Sequence, residues 1–207
     1  DISSEMIFPV LPLFLASLPG GGPVAIGIIE GVAETTGTFL KLASGIWSDR
    51  IKRRTPFVAF GYGLAGVARP LIALTSSWPA VLFLRFTDRV GKGIRGAPRD
   101  AVIADSVPEN RRGSAFGFQR MMDHTGAVIG PLLAVILMNS AGFTVRQVIL
   151  YAGIPAILLL SVLFTLREPS SRTIIVSHPL SDRSMNISGN FRLLLLGMFL
   201  FTLGNST

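Results

Sequence analysis

Two long apolar runs, residues 23–47 and 55–76, meet at a compact burst of charge, Gly45-Ile-Trp-Ser-Asp-Arg-Ile-Lys-Arg-Arg54. About 20 apolar residues carry a helix across a bilayer, so each run is long enough to span one. Four of the six residues from Asp49 to Arg54 are basic. So short a connection makes the chain turn back at a single membrane face, and its positive charge assigns that face to the cytoplasm.

The pattern extends along the chain. A broken first span over residues 1–18, interrupted by Pro9 and Pro12, ends in the turn Leu18-Pro-Gly-Gly-Gly22. Further spans are expected at 79–104, 114–138 and 147–166. The polar, Ser-rich stretch 167–190 reads as a cytoplasmic central linker, and 191–207 as the start of a seventh span. Mean hydropathy is +0.56, although 15% of residues are charged. The chain opens and closes inside apolar runs, which points to a piece of a longer protein.

Loop charge alternates. The connections after spans two, four and six hold Arg50, Lys52, Arg53 and Arg54, then Arg111 and Arg112, then Arg167, Arg172 and Arg183. Those after spans one, three and five hold only Arg146. Even-numbered loops are therefore expected in the cytoplasm. Trp47 and Trp78 stand at span boundaries, where indoles favour the headgroup layer. The net charge of +7 is interleaved with spans rather than gathered on one polar domain, so nucleic acid is not an expected partner. With no cysteine there is neither a disulfide framework nor a thiolate metal site.

Ionisable residues inside spans each cost about 2.5–3.5 kcal/mol or more and need a wet cavity or a partner. Span one carries Asp1 and Glu5; span two carries Glu30, Glu34 and Lys41; span three carries Arg69. In span four Arg85, Asp88, Arg89 and Lys92 fall at i, i+3, i+4 and i+7, a single stripe. In span five Arg120, Asp123 and His124 share a face. At 1.5 Å per residue, Glu34, Arg89 and Asp123 lie roughly 14–16 Å inside their spans, at one common depth. Transporters place substrate and coupling sites at that depth.

Structural readings stand beside the functional ones. Arg69, followed by Pro70 near the outer end, is expected to snorkel, and Lys41 to reach either the inner surface or the cavity. The span-four stripe serves either a solute or a structural ion-pair network with span two. Asp1 and Glu5 face either the midplane or the cytoplasmic vestibule. His124 is either a titrating group or a hydrogen-bonded helix contact.

Three motifs carry a family resemblance. Gly45-x3-Asp49-Arg50-x-Lys52-Arg53-Arg54 resembles the loop signature G-x-x-x-D-R-x-G-R-R of the major facilitator superfamily, with Lys52 in place of a glycine. Arg85-x5-Gly91-x-Gly93 is similar to the fourth-helix pattern R-x-x-Q-G-x-G, with a longer spacing and no Gln. Gly117-x8-Gly126-x3-Gly130-Pro131 follows the fifth-helix spacing of antiporter members, with Ala134-Val135 where further glycines stand. The resemblance covers the first half of a twelve-helix member. It implies an all-α polytopic membrane protein, residues 1–166 forming a six-helix bundle of two three-helix inverted repeats. It also implies a gate in which Asp49 caps a helix of the other half. Arg50, Arg53 and Arg54 would pair with acids at the inner end of span four, where Asp100 and Asp105 are available. The fifth-helix glycines would seal the interface with the second half, although close packing alone accounts for such spacing. Gly130-Pro131 is expected to bend its helix.

The expected function is secondary active transport by alternating access, with proton-coupled efflux of a small organic solute or drug. The expected place is the cell inner membrane, in a multi-pass arrangement. Glu30, Glu34, Asp88 and Asp123 are the candidate proton carriers. Arg85 and Arg89 would tune them, and the cavity's cations also suit an anionic or zwitterionic solute. No cofactor is expected beyond a proton gradient. Expected partners are the small-molecule substrate, the lipid bilayer and the C-terminal half, or a second copy if the chain is half-length. The alternatives are an importer or uniporter of the same family, or a half-length, non-transporting module that dimerises. No enzyme reading is supported: there is no Ser-His-Asp set or metal-ligand cluster, and Gly91-Lys-Gly-Ile-Arg-Gly96 lies in a span without the strand–helix context of a phosphate loop.

Overall fold

The computed structural model describes residues 2–51 and 54–165, and only the backbone of Asp49, Ile51 and 163–165. The linker 167–190, the seventh span, Asp1, Lys52 and Arg53 lie outside the described residues. Among the described residues eight α-helices fall on the six expected spans: α1 (Ile2–Ile7), α2 (Leu11–Ala16), α3 (Pro23–Ile51), α4 (Thr55–Ile72), α5 (Trp78–Ser106), α6 (Arg112–Ser140), α7 (Val145–Tyr151) and α8 (Gly153–Thr165). There is no strand among the described residues.

Two spans are split where proline removes a backbone donor. Pro9 sits in the break between α1 and α2, and Pro12 lies in the first turn of α2. Pro155 lies in the first turn of α8, where its missing N–H cannot bond back toward α7. Gly20, at φ +73°, supplies the left-handed residue of the predicted turn. Thr144 and Gln147 cap α7 reciprocally. The charged burst is less of a loop than its sequence suggests. Helix α3 runs on to Ile51, so Asp49 and Arg50 occupy its last turn, where a basic side chain complements the helix dipole.

Helix α5 is the centre of the bundle, packed along both α3 and α4. A Cβ on Gly91 would sit 2.6 Å from the Gly61 carbonyl oxygen, so these two helices touch backbone to backbone. On the other side Ser44 Oγ donates to the Gly93 carbonyl at 2.9 Å. The close approach lets side chains on α3 and α4 reach across to α5.

Apolar burial is concentrated at one end. Ile7, Phe14, Leu15, Ile29, Ile72, Val81, Val148 and Ile149 are sealed from solvent there, with Trp78 packed against the cluster. The perimeter is the reverse of a water-soluble protein's: Val24, Phe39, Leu42, Phe83 and Val128 are each more than half exposed. Among the described residues, Glu109–Ser140 and Val145–Val162 are long and apolar enough to cross a membrane unaided. Helices α3 and α5 carry most of the ionisable groups that form the site, with Arg69 on α4 and Glu5 on α1.

Candidate functional site: a charged network opening into a polar cavity

The stripe predicted on α5 organises a continuous chain of alternating charge. Asp88 is fully buried and accepts a hydrogen bond from Arg69 Nε of α4 at 2.8 Å. Its second oxygen faces Arg85 Nη1 at 3.7 Å. Arg85 reaches the other way and donates Nη2 to Glu30 of α3 at 2.6 Å. Glu30 in turn lies 3.7 Å from Arg89, which pairs with Glu34 at 2.7 Å. The order Arg69–Asp88–Arg85–Glu30–Arg89–Glu34 runs from α4 through α5 to α3. The side chain is 5% exposed at Arg69 and 67% at Glu34, so the chain has one sealed and one open end. Buried ions persist only when each is compensated, and the alternation provides that.

Arg69 therefore corrects the expectation that it snorkels. The glycine contact between α4 and α5 brings Asp88 within its reach, and pairing there replaces hydration at the membrane surface.

A cavity of about 250 Å³ opens beside the exposed end, lined by Ser4, Glu5, Phe8, Glu34, Arg85, Arg89 and Lys92. Lys92 Nζ donates to Ser4 Oγ at 3.1 Å, and Ser4 Oγ lies 3.4 Å from Glu5 Oε1. The structure thus gathers Glu5, Glu30, Glu34, Arg85, Asp88, Arg89 and Lys92 from three spans. A further hollow of about 350 Å³, between α3, α4 and α5, is an apolar groove lined by Leu40, Trp47, Phe57 and Phe60, with no ionisable group among its described lining residues.

Asp123 does not join Glu34 and Arg89, contrary to the shared-depth expectation. It lines a separate cavity of about 220 Å³ with Ser3, Tyr62, Arg69 and Arg95, and lies 3.9 Å from Arg99. Depth along a helix leaves its rotation undetermined, and α6 turns this face toward α4 and α8. Arg120 and His124 are exposed and make no ion pair among the described residues. Sequence reading missed Arg95, which is buried with its guanidinium 3.9 Å over the Tyr62 ring, and Arg99. Both continue the α5 stripe, at three and seven residues beyond Lys92, so the signal was present.

At the opposite end from the apolar cluster, Arg54 pairs with Asp105, as the gate expectation requires. Asp100 is held instead by Arg99 at 3.3 Å and Lys41 at 3.9 Å, so Lys41 joins this cluster rather than the cavity. Arg50 is exposed without an ion pair among the described residues. Gly45 packs against α5, where an added Cβ would lie 3.3 Å from the Ala97 methyl. The Asp49 side chain and Arg53 lie outside the described residues.

The α6 glycines divide. Gly126, Gly130 and Ala134 are buried, and a Cβ on Gly130 would meet the Glu5 Cβ at 2.6 Å. Gly113 and Gly117 face open space. Pro131 is accommodated inside α6, which continues as one helix to Ser140.

Comparison with known proteins decides the family. The Major Facilitator Superfamily profile matches residues 1–207. An uncharacterized MFS-type transporter of Methanocaldococcus jannaschii is 35% identical over 99% of this chain and 51% of its own. The chain belongs to the major facilitator superfamily. An uncharacterized protein of Mycobacterium tuberculosis is 31% identical over 69% of the chain and 34% of its own length. A multidrug resistance protein, MdtG, of Enterobacter lignolyticus is 28% identical over 67% of the chain and 34% of its own. The chain thus spans about half the length of the Methanocaldococcus relative.

Membership in this family of membrane transporters accounts for the inverted perimeter. The exposed apolar side chains of this major facilitator chain are those a bilayer would solvate, and the charge is folded inward. The same all-α fold explains why Glu5, Glu34 and Arg89, far apart in sequence, converge on one hollow.

Proposed function

We propose that the protein is a secondary active transporter that works by alternating access and couples proton entry to efflux of a small organic solute. The Arg89–Glu34 pair at the cavity rim carries this reading. Glu34 is the exposed terminus of an otherwise buried network, so a proton arriving there frees Arg89 without uncovering Asp88. Release of Arg89 then passes to Glu30 and Arg85 through contacts of 3.7 and 2.6 Å. A carboxylate that exchanges a proton for an arginine is a two-state element of the kind that links an ion to a conformational equilibrium.

Alternating access further requires a closure that breaks and re-forms. The Arg54–Asp105 pair and the Lys41, Arg99 and Asp100 cluster supply one at the end away from the apolar core. Exposed Gly113 and Gly117, with Arg120 and His124, are available to a second six-helix half, or to a second copy. We place the protein in the inner membrane, with the α3–α4 connection in the cytoplasm on its positive charge. The likeness to a multidrug resistance protein is in keeping with a drug-like organic solute as the cargo.

The test is solute counterflow and pH-gradient-driven flux with the whole protein in liposomes. Movement that depends on the gradient is the expected result. Solute movement indifferent to the gradient sinks proton coupling and leaves a uniporter.

A further inference from the structure

The ions lining the polar cavity are not all committed. Arg85 and Arg89 are neutralised by Glu30, Glu34 and Asp88. Lys92 and Glu5, by contrast, form no ion pair among the described residues, either with each other or with the network. An ammonium has three donors, and the single hydrogen bond from Lys92 to Ser4 leaves two of them unused. Glu5 receives one long contact from Ser4 and otherwise faces the cavity.

One uncommitted cation and one uncommitted carboxylate therefore share a hollow of about 250 Å³. Helix packing keeps them in place. Glu5 is held by the contact of its backbone with Gly130, and Lys92 lies one residue from Gly91 and Gly93, where α5 is locked against α4 and α3. A simple cation seated on Glu5 would confront Lys92; a simple anion seated on Lys92 would confront Glu5. A solute bearing both charges satisfies both groups and leaves the Arg–Glu network intact. Phe8, 58% exposed on the same wall, offers an apolar surface for the stem between them.

We propose that this cavity takes a zwitterionic solute, its acidic group on Lys92 and its basic group on Glu5. The assignment rests on the transport reading for its physiological meaning, while its chemistry is read by binding alone.

The experiment measures ligand-dependent shifts in the unfolding temperature of the purified whole protein. The probes are matched triples: β-alanine, leucine and phenylalanine, each with its amide and its N-acetyl derivative. A bound ligand at free concentration L raises stability by RT ln(1 + L/Kd), so at equal concentration the tighter binder gives the larger shift. The zwitterion of a binding triple is expected to outbind each blocked form by about tenfold, one charge-assisted contact being lost each time. Lys92→Gln should abolish the preference over the amide, and Glu5→Gln the preference over the N-acetyl form. An amide or N-acetyl form that binds as tightly as its parent, or the absence of binding by every probe, overturns the proposal. The wild-type pattern suffices if a variant fails to fold. Counterflow of a binding probe in liposomes is scored separately: a probe that binds in this pattern but is not moved overturns transport and leaves the ligand class standing.

Discussion

Gly130 of α6 and Glu5 of α1 lie so close that a Cβ on the glycine would stand 2.6 Å from that of the glutamate. The contact fixes the backbone that carries a cavity carboxylate, whose own hydrogen bond is a long one from neighbouring Ser4. A motif glycine thereby sets the position of a charge on another helix.

Gly130→Val should accordingly damage both stability and function. The atoms it would meet, Glu5 Cβ and the Met6 backbone nitrogen, are not the flexible ends of side chains, so α1 itself must move. Overpacking of this kind costs about 1–3 kcal/mol. The expected result is a lower unfolding temperature together with loss of solute counterflow.

Asp88→Asn should be among the most disruptive single changes. It strips the counter-charge from Arg69 and half of that from Arg85, both almost fully buried. Leaving a buried partner uncompensated costs about 3–5 kcal/mol. The double variant Asp88→Leu with Arg69→Met should recover most of that loss, because Arg85 keeps Glu30. Thermal unfolding of Asp88→Leu, of Arg69→Met and of the double variant completes the cycle.

Glu34→Gln should behave differently from Glu30→Gln. The Glu34 side chain is 67% exposed and Glu30 only 29%, so neutralising Glu34 should cost little stability. Glutamine there imitates the protonated acid. Solute flux through the variant is expected to persist while losing its response to an imposed pH gradient. A retained response would move the coupling proton to another carboxylate.

Arg54→Ala should loosen the end of the bundle away from the apolar core. An exposed pair of this kind contributes only about 0–1 kcal/mol, so global stability should hardly change. Accessibility should change instead. This chain has no cysteine, so Phe8→Cys places a lone thiol of the chain on the cavity wall. Its alkylation by a cytoplasm-side reagent is expected to accelerate in the Arg54→Ala background; an unchanged rate would remove the Arg54–Asp105 pair from any gate.

How far these relationships could be read from residues depends on whether they are local. The Arg85, Asp88, Arg89 and Lys92 stripe follows from helical spacing alone, and Arg95 and Arg99 lie on its continuation. The pairing of Arg54 with Asp105 was legible because charge at one membrane face has few partners. The burial of Arg69 was not, because it depends on Gly61 meeting Gly91 across two helices. Asp123 was expected beside Glu34 and Arg89 and lines another cavity instead, because the rotation of α6 is set by its contact with α1. Lys41 likewise resolved toward Asp100 only once α3 and α5 were packed.

The segregation of the apolar cluster toward one end has a mechanical consequence. Where Phe14, Ile29, Ile72, Val81 and Ile149 interlock, separating the helices means exposing close-packed side chains to water or lipid tails. At the other end the helices are tied by Arg54–Asp105 and Lys41–Asp100, contacts that water can replace one at a time. Rigidity is thus graded along the bundle axis. Amide exchange should be slow around Ile72 and Val81 and quicken toward Asp105, with the cavity lying where the stiff portion gives way to the pliable one.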